Sequence, residues 1–133
     1  MEIRDYTSFN PDEILGLYAA VGWTNYVARP EMLDQAYRNS LCVLAAYDGS
    51  RLVGIIRAVG DGCSIVFIQD LIVLPEYQRR GIGTKLLREM TERYKTAYQI
   101  ELLTDSTEKS KSFYRSAGFR PTEEIGCISF IRM

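Results

Sequence analysis

The segment DLIVLPEYQRRGIGTKLL, residues 70–87, constrains this chain more than any other stretch. Its first part is a short apolar run typical of a buried strand, and its last part has the residue spacing of an amphipathic helix. The loop QRRGIG lies between them. A helix N-terminus has unpaired backbone N–H groups and a partial positive charge, and glycines let an anion approach them closely. The segment therefore predicts a phosphate-binding site.

Two common phosphate-binding patterns do not fit this loop. The dinucleotide-binding pattern GxGxxG would need a third glycine where the chain has Leu86. The P-loop pattern GxxxxGK[ST] fails because Thr84 precedes Lys85 and the first glycine is missing. The remaining pattern is Gln/Arg-x-x-Gly-x-Gly between a strand and a helix.

Composition limits the classes of protein to consider. The chain has 133 residues, of which 47% are hydrophobic and 25% charged, so we expect a single domain over residues 1–133. Sixteen basic and 17 acidic residues argue against binding to nucleic acid. The polar N-terminus and the lack of a long apolar run predict a soluble, cytoplasmic protein with no membrane partner.

The chain has no histidine, which excludes a His-based catalytic triad and most zinc sites. We therefore expect no metal centre. Three cysteines, Cys42, Cys63 and Cys127, are odd in number and lie among apolar residues. This arrangement predicts buried free thiols in preference to a disulfide or metal framework.

Turn and cap signals divide the chain into alternating elements. Asn10 before Pro11 predicts a helix that ends near Val21, and Arg29-Pro30 predicts a second helix. The helix after QRRGIG and a last helix, from about Asp105 to Gly118, complete the helical set. Apolar, β-branched runs predict strands at 41–47, 52–59, 64–74, 98–103 and 126–132. The 98–103 strand follows a helical crossover and should lie parallel to the strand before that helix.

The upstream residues VLPEYQ and the loop together resemble the cofactor loop of the GNAT superfamily of N-acetyltransferases. A second motif, FYRSAGF at residues 113–119, is similar to that family's signature at the end of the last helix. The order of predicted elements is similar over nearly the whole chain. The resemblance implies an α/β fold, with a mixed, mostly antiparallel sheet, a central parallel strand pair and about four flanking helices. It also implies acetyl-coenzyme A (acetyl-CoA) as co-substrate.

The same resemblance implies the residues that hold acetyl-CoA. The backbone of Ile72 and Val73 would pair with the pantetheine arm, and the Val73 N–H would polarise the thioester carbonyl. Many family members have an asparagine before the last helix, where this chain has Ser106 and Thr107. Either hydroxyl replaces the asparagine contact or the contact is absent. The implied pyrophosphate loop consists of Gln78, Arg79, Arg80, Gly81, Ile82, Gly83 and Thr84.

The resemblance also implies that Tyr114 is the general acid for the departing thiolate, against the alternative of a core aromatic. A tyrosine pKa of ~10 against ~8.5 for a thiol makes full proton transfer uphill by about 2 kcal/mol. Tyr114 therefore needs a lowered pKa, or it stabilises the thiolate through a hydrogen bond.

An amine substrate must lose a proton before it attacks, and Asp70 is the candidate base because a carboxylate in an apolar run is costly without a purpose. The alternative is a structural carboxylate bonded to the backbone or to an arginine such as Arg57.

The acceptor side of the site is expected to include Trp23, Tyr26 and Arg29, which suit a flat or cationic amine. The two aromatic residues are equally suited to packing between short helices. VGW, ARP, NS, DLIV and FYRSAGF are also similar, more weakly, to plastid-type arylalkylamine (serotonin-type) N-acetyltransferases. We therefore predict direct acetyl transfer to the primary amine of a small molecule in a ternary complex. Two alternative functions stay open: a protein-lysine or N-terminal acetyltransferase, and a non-catalytic acyl-CoA-binding module. A homodimer also stays open.

Overall fold

The computed structural model describes residues 1–133, and its centre is one five-stranded sheet in the order β1-β2-β3-β4-β5. The strands are β1 (Glu2–Asp5), β2 (Cys42–Asp48), β3 (Arg51–Gly60), β4 (Ile65–Val73) and β5 (Gln99–Leu102). The helices are α1 (Pro11–Ala20), α2 (Thr24–Val27), α3 (Pro30–Arg38), α4 (Ile82–Arg93) and α5 (Glu108–Ser116). The chain forms two compact units, residues 1–103 and 104–133.

The sheet has the mixed pairing expected of the predicted α/β fold. β1, β2, β3 and β4 pair antiparallel in succession, while β5 returns through α4 and pairs parallel with β4. The parallel pair is confirmed, but it lies at one edge of the sheet and not at its centre.

The predicted last strand is wrong. Residues 126–133 have no regular secondary structure, and Ile128, Phe130 and Ile131 are exposed. An apolar pattern alone does not make a strand, because the backbone N–H and C=O groups also need a partner ladder. The structure instead adds β1, whose residues EIRD include only one apolar side chain, the half-buried Ile3.

The predicted N-terminal helices are confirmed. Asn10 caps α1 by accepting hydrogen bonds from the Asp12 and Glu13 N–H groups at 3.1 and 3.5 Å. The connector to α3 is not an open loop, because it contains the single turn α2.

Helix α4 packs its apolar face on the sheet. Ile82, Leu86, Leu87 and Met90 are all buried. Gly54 of β3 allows this close packing, since a Cβ there would lie 3.2 Å from Leu86 Cδ1 and 3.1 Å from the Ile72 carbonyl oxygen. None of the helices is both long and apolar enough to cross a membrane.

The three cysteines are free thiols, as predicted, but only Cys42 is buried. Cys63 lies in the exposed β3–β4 turn and Cys127 in the exposed segment after residue 125. The prediction that Cys63 and Cys127 are buried is wrong, because their sequence neighbours are turn residues or are themselves exposed.

In the second unit, α5 begins later than the spacing at Asp105 predicted. Thr107 is the N-cap and accepts from the Ser110 N–H at 3.2 Å, while Asp105 Oδ1 accepts from the Thr107 N–H at 3.0 Å. The helix ends, as expected, at a left-handed glycine, Gly118, with φ of 92°.

Candidate functional site

The loop between β4 and α4 presents a row of free backbone donors. The N–H groups of residues 79–84 donate no hydrogen bond within the protein, and the first α4 bond that closes on the loop is from the Lys85 N–H to the Gly81 carbonyl at 3.0 Å. No side chain caps α4. An uncapped helix N-terminus with several free N–H groups is suited to an anion.

Gly81 makes the loop approachable. It has φ of 79°, in the left-handed region, and a Cβ at this position would meet nothing within 4 Å. The space in front of the loop is therefore open to a ligand. Arg79 also has a positive φ, 65°, and is the only non-glycine residue in the chain that does. Such strain concentrates at ligand-binding loops.

Side chains of the β2–β3 hairpin contact Tyr77, which precedes the loop. The Tyr77 hydroxyl donates to Asp48 Oδ2 at 2.6 Å, and the guanidinium groups of Arg51 and Arg80 lie over the Tyr77 ring at 5.5 and 4.9 Å. Tyr77 therefore orients one of the two predicted phosphate-contacting arginines. Arg79 and Arg80 are both exposed.

β4 loses its parallel neighbour halfway along its length. Pairing with β5 extends only from Ile65–Gln99 to Ile68–Leu102, and β4 continues to Val73 without it. The register of β4 against β3 also shifts at this point, between the Arg57–Asp70 and Ala58–Ile68 pairs, which leaves Gln69 as the extra residue of a bulge.

Backbone alternation shows which residues face the resulting gap. The Leu74 N–H donates to the Val53 carbonyl of β3 at 2.9 Å. In an antiparallel ladder every second residue faces the same neighbour, so Ile72 also faces β3 whereas Leu71 and Val73 face away from it. The Val73 N–H therefore faces the gap, and so does the backbone of Leu71, whereas the backbone of Ile72, which was also predicted to hold the cofactor, faces β3.

The predicted residue Gln78 braces this edge. Its Nε2 donates to the Val73 carbonyl oxygen at 3.1 Å. The bond occupies the Val73 acceptor and leaves the Val73 N–H as the free group of that residue.

Asp70 is buried in a hydrogen-bonded network. It is 2% exposed, and its Oδ2 accepts from Arg57 Nε at 2.7 Å and from the Tyr18 hydroxyl at 2.8 Å. This is the arginine partner that the sequence left open. Asp70 Oδ1 accepts no hydrogen bond within the protein. Burial is the largest single influence on the pKa of Arg57 and lowers it, but the charge and hydrogen bond of Asp70, together with smaller contributions from Tyr18 and Tyr37, outweigh burial and the net shift is upward.

The network continues into the helices. The Tyr18 and Tyr37 hydroxyls are 2.9 Å apart, and Arg57 also reaches the Ser40 hydroxyl at 3.2 Å. Since the single Tyr18 proton is donated to Asp70, Tyr37 donates to Tyr18. Burial, first of all, raises the pKa of Tyr18 well above its ordinary range. Both tyrosines are therefore neutral hydrogen-bonding groups.

Tyr18 also brings two predicted acceptor residues to this network. Its ring lies 5.8 Å from that of Trp23 and 5.3 Å from that of Tyr26, and those two rings are 6.0 Å apart. Trp23 and Tyr26 are half-buried. Arg29, the third predicted acceptor residue, is exposed, and its backbone caps α3.

The end of α1 explains how Trp23 reaches Tyr18. The Trp23 N–H donates to the Tyr18 carbonyl at 3.1 Å and the Gly22 N–H to the Ala19 carbonyl at 3.0 Å, with Gly22 at φ of 80°. This is a Schellman motif, in which the residue after the glycine packs on the last turn of the helix.

The second unit also contains a Schellman motif, which lies at Tyr114. The Phe119 N–H donates to the Tyr114 carbonyl at 3.0 Å, the Gly118 N–H to the Arg115 carbonyl at 3.0 Å, and the Phe119 ring lies 6.1 Å from the Tyr114 ring. FYRSAGF is therefore a helix end that fixes Tyr114.

Tyr114 is half-buried, and its hydroxyl makes no hydrogen bond within the protein. Burial, and secondarily the charge of Asp105, raises the pKa of Tyr114. The shift is opposite to the lowered pKa that full proton transfer needs. It favours the other possibility, a neutral phenol that donates a hydrogen bond to a thiolate.

The two hydroxyls before α5 differ. Thr107 is occupied, because its Oγ1 accepts from Ser110 and donates to Asp105 Oδ1 at 2.5 Å. Ser106 is exposed and its side chain makes no hydrogen bond within the protein. Of the two, Ser106 is the free donor.

Sequence reasoning missed Leu71 and Tyr18. Leu71 could have been found by counting outward from the loop in steps of two. Tyr18 could have been found from Gly22. In a helix that ends at a left-handed glycine, the residue after the glycine, here Trp23, packs on the residue four positions before the glycine, here Tyr18.

Comparisons with known proteins agree with this geometry. The family model for the acetyltransferase (GNAT) domain matches residues 8–133. A solved GNAT family acetyltransferase from Streptococcus pneumoniae is 48% identical, with a TM-score of 0.91 over 99% of this chain and 96% of that one.

Two further matches carry substrate names of their own. Glucosamine 6-phosphate N-acetyltransferase of Trypanosoma brucei brucei is 34% identical over 62 residues, which are 47% of this chain and 42% of that relative. An aminoglycoside N-acetyltransferase solved with CoA shares the fold, with 21% identity and a TM-score of 0.70 over 99% of this chain and 93% of that one. The chain therefore belongs to the GNAT family of acetyl-CoA-dependent N-acetyltransferases.

Proposed function

We propose that this protein transfers an acetyl group from acetyl-CoA to the primary amine of a small molecule, by direct attack in a ternary complex. The observation that carries the proposal is the free edge of β4 beside a loop of six unpaired backbone donors, residues 79–84. The edge suits an extended amide arm, and the loop suits a pyrophosphate.

The residues present fit acetyl-CoA. The open space in front of Gly81 accommodates phosphates against the backbone, and the free N–H groups of the loop and of α4 would bind their oxygens. Arg80, oriented by Tyr77, would add positive charge, as would Arg79. Ser106 is the hydroxyl we assign to the contact that other family members make with asparagine.

The outward-facing backbone of Leu71 and Val73 would hold the pantetheine arm as an added strand. Acetyl-CoA supplies the thioester whose carbonyl carbon the amine attacks. The Val73 N–H is the donor we assign to the carbonyl oxygen, because the Val73 C=O is already bonded to Gln78. A preorganised donor of this kind stabilises the charge that develops on the oxygen.

Tyr114 is the residue we assign to the leaving sulfur. Its raised pKa keeps the phenol protonated at neutral pH, so its hydroxyl donates a hydrogen bond to the thiolate. A hydrogen bond to a charged acceptor is stronger than one between neutral groups. This role avoids the uphill transfer of the whole proton.

Asp70 is the acid–base residue we assign to the amine. The protonated amine carries a proton that must leave before attack, and Asp70 Oδ1 is the carboxylate oxygen that no protein group occupies. Arg57 and Tyr18 hold the other oxygen and so fix the direction of Oδ1. A bridging water between the amine and Oδ1 would serve as well as a direct contact.

The aromatic rings of Trp23 and Tyr26 support a small-molecule acceptor over a protein lysine. They form a compact, half-buried pair on the buried Tyr18 ring, which suits a flat or cationic amine. The names of the matched relatives, for glucosamine 6-phosphate and aminoglycosides, are also those of small-molecule amine acetyltransferases.

The proposal is tested by thiol release from acetyl-CoA with a panel of arylalkylamines, polyamines, amino sugars and lysine peptides. We expect release above the hydrolysis background with at least one small amine, and an acetylated product of matching mass. Release with lysine peptides alone would indicate a protein acetyltransferase. Tight CoA binding with no release for any acceptor would indicate a binding module.

A further inference from the structure

Tyr18 occupies a position that the family assignment does not explain, and the proposed chemistry uses only its hydroxyl. It is a fully buried α1 residue whose hydroxyl lies 2.8 Å from Asp70 Oδ2 on β4. Its ring contacts the rings of the half-buried Trp23 and Tyr26. No other residue combines a hydrogen bond to the Asp70 carboxylate with ring contacts to both Trp23 and Tyr26.

The contact joins the two halves of the proposed acceptor site. Trp23 and Tyr26 belong to the connector after α1, whereas Asp70 belongs to the strand that leads into the acetyl-CoA edge. The connector has one short helix of its own, α2, and Thr24, Asn25 and Ala28 are exposed. Its position against β4 therefore depends on the few side chains that reach inward.

We infer that Tyr18 is the positioning residue that sets amine specificity, by holding the Trp23–Tyr26 ring pair at a fixed distance from the Asp70 carboxylate. The inference rests on the proposed amine acetyltransferase function. A primary amine whose apolar part contacts the rings then presents its nitrogen toward Asp70. A linear amine lays no apolar ring on the pair and meets it only through its charge, so it gains less from the fixed spacing.

Tyr18→Phe is the sharpest change, because it removes the hydroxyl and keeps the ring. The variant loses the bond to Asp70 Oδ2 and leaves the Tyr37 hydroxyl without its acceptor. Arg57 still neutralises Asp70. The matched control is Tyr47→Phe, which deletes the 3.2 Å hydrogen bond from another buried tyrosine to a carboxylate oxygen, Glu13 Oε2. Tyr47 has no hydrogen bond or ring contact with Trp23, Tyr26 or Asp70.

Trp23 is the single tryptophan of the chain, so fluorescence excited at wavelengths that the nine tyrosines do not absorb reports on this ring alone. The experiment titrates wild type, Tyr18→Phe and Tyr47→Phe with 2-phenylethylamine and with a linear diamine, and follows Trp23 emission. Amine turnover and acetyl-CoA affinity are measured in parallel. We expect 2-phenylethylamine binding to weaken about tenfold in Tyr18→Phe, equivalent to about 1.4 kcal/mol. The affinities for acetyl-CoA and for the linear diamine should change less than about twofold.

A thermal melt shows whether each variant is folded. If Tyr18→Phe does not fold, Tyr37→Phe replaces it, since it removes only the donor to Tyr18, and the expected loss is about threefold. A purely structural role would lower the melting temperature and leave the ratio of the two amines unchanged, which would overturn the inference.

The outcome also separates this inference from the proposed function. If small amines are acetylated but none of them changes the fluorescence of Trp23, the proposed function stands and the role of Tyr18 is overturned. If amines saturate the Trp23 fluorescence change but none is acetylated, the proposed function is overturned. The effect of Tyr18→Phe on amine affinity then still tests whether Tyr18 sets the distance between the rings and Asp70.

Discussion

Asp70 Oδ2 and Arg57 Nε lie 2.7 Å apart in a fully buried ion pair, with Asp70 2% and Arg57 5% exposed. The two residues are direct partners in the β3–β4 ladder, so the sheet itself sets their distance. A buried pair stabilises little beyond an apolar pair of similar size, but removal of one partner leaves an uncompensated charge. The pair is therefore costly to break and well placed to fix the direction of Asp70.

Asp70→Asn should lower both stability and activity. The free energy of unfolding should fall by about 3–5 kcal/mol, because Arg57 keeps its charge and loses its counter-ion. At about pH 7 turnover should fall about 10²-fold if Asp70 accepts the amine proton. Near the amine pKa of ~10.4 much of the substrate is already neutral, so the loss should shrink as pH rises.

Urea unfolding and pH–rate profiles measure these two effects. The control is Asp34→Asn, which breaks the exposed Asp34–Arg38 pair and should cost less than about 1 kcal/mol. An activity loss in Asp70→Asn that stays the same at every pH would show that Asp70 is structural only.

Tyr114→Phe should lower kcat about 10²-fold, because it removes the hydrogen bond proposed for the developing thiolate. The KM for acetyl-CoA should change less than about twofold, since the ring and its contact with Phe119 remain. The raised pKa keeps the phenol protonated, so wild-type kcat should show no alkaline loss from Tyr114 up to its ordinary value of 10.

Steady-state kinetics with Tyr98→Phe, a change at an 84% exposed tyrosine, provide the control. A Tyr114→Phe enzyme with wild-type turnover would remove Tyr114 from the mechanism.

Gly81→Ala tests the phosphate loop. The left-handed backbone should cost about 1 kcal/mol of stability, and the new Cβ meets no protein atom within 4 Å. Any further effect must come from a ligand in the open space, so we expect CoA affinity to fall about tenfold, as measured by calorimetry. Gly49→Ala is matched in backbone, with φ of 62° and no neighbour within 4 Å. Equal CoA affinities in the two variants would place the phosphates elsewhere.

Asp61 predicts a pH dependence of stability. Hydrogen bonds, first from the Ser64 hydroxyl and then from the Cys63, Ile65 and Ser64 N–H groups, lower the pKa of Asp61 below its ordinary value of 3.8. A lowered folded-state pKa stabilises the fold above the unfolded-state value, and the contribution is lost as pH falls toward the folded-state value.

The difference in urea midpoint between wild type and Asp61→Ala should therefore be largest at about pH 7 and shrink below about pH 4. A difference that is constant with pH would show that the Asp61 charge does not support the β3–β4 turn.

The sequence predicted the elements whose signals are local. Asn10-Pro11 marks the start of α1, Gly118 marks the end of α5, and the helical connection between β4 and β5 predicts that these two strands pair parallel. The phosphate loop was predicted for the same reason, since its glycines and the start of α4 lie within a few residues of each other.

Features that depend on distant partners were missed. β1 has almost no apolar pattern and forms because it pairs with β2, while the residues near Phe130 have an apolar pattern but form no strand. The Tyr18–Asp70 bond joins residues 52 positions apart, so no local pattern encodes it. Leu71 was missed because the motif shows residue types only, and the direction of each N–H has to be added by counting in steps of two along the strand.

The most direct test of the central claim follows the label from acetyl-CoA carrying an isotopically labelled acetyl group. The protein is incubated with an equimolar mixture of arylalkylamines, amino sugars, polyamines and lysine peptides, and the products are separated by mass. We expect the label to accumulate on one class of small-molecule amine, with free CoA released in equal amount. Label that appears only on peptides, or only as acetate, would contradict it.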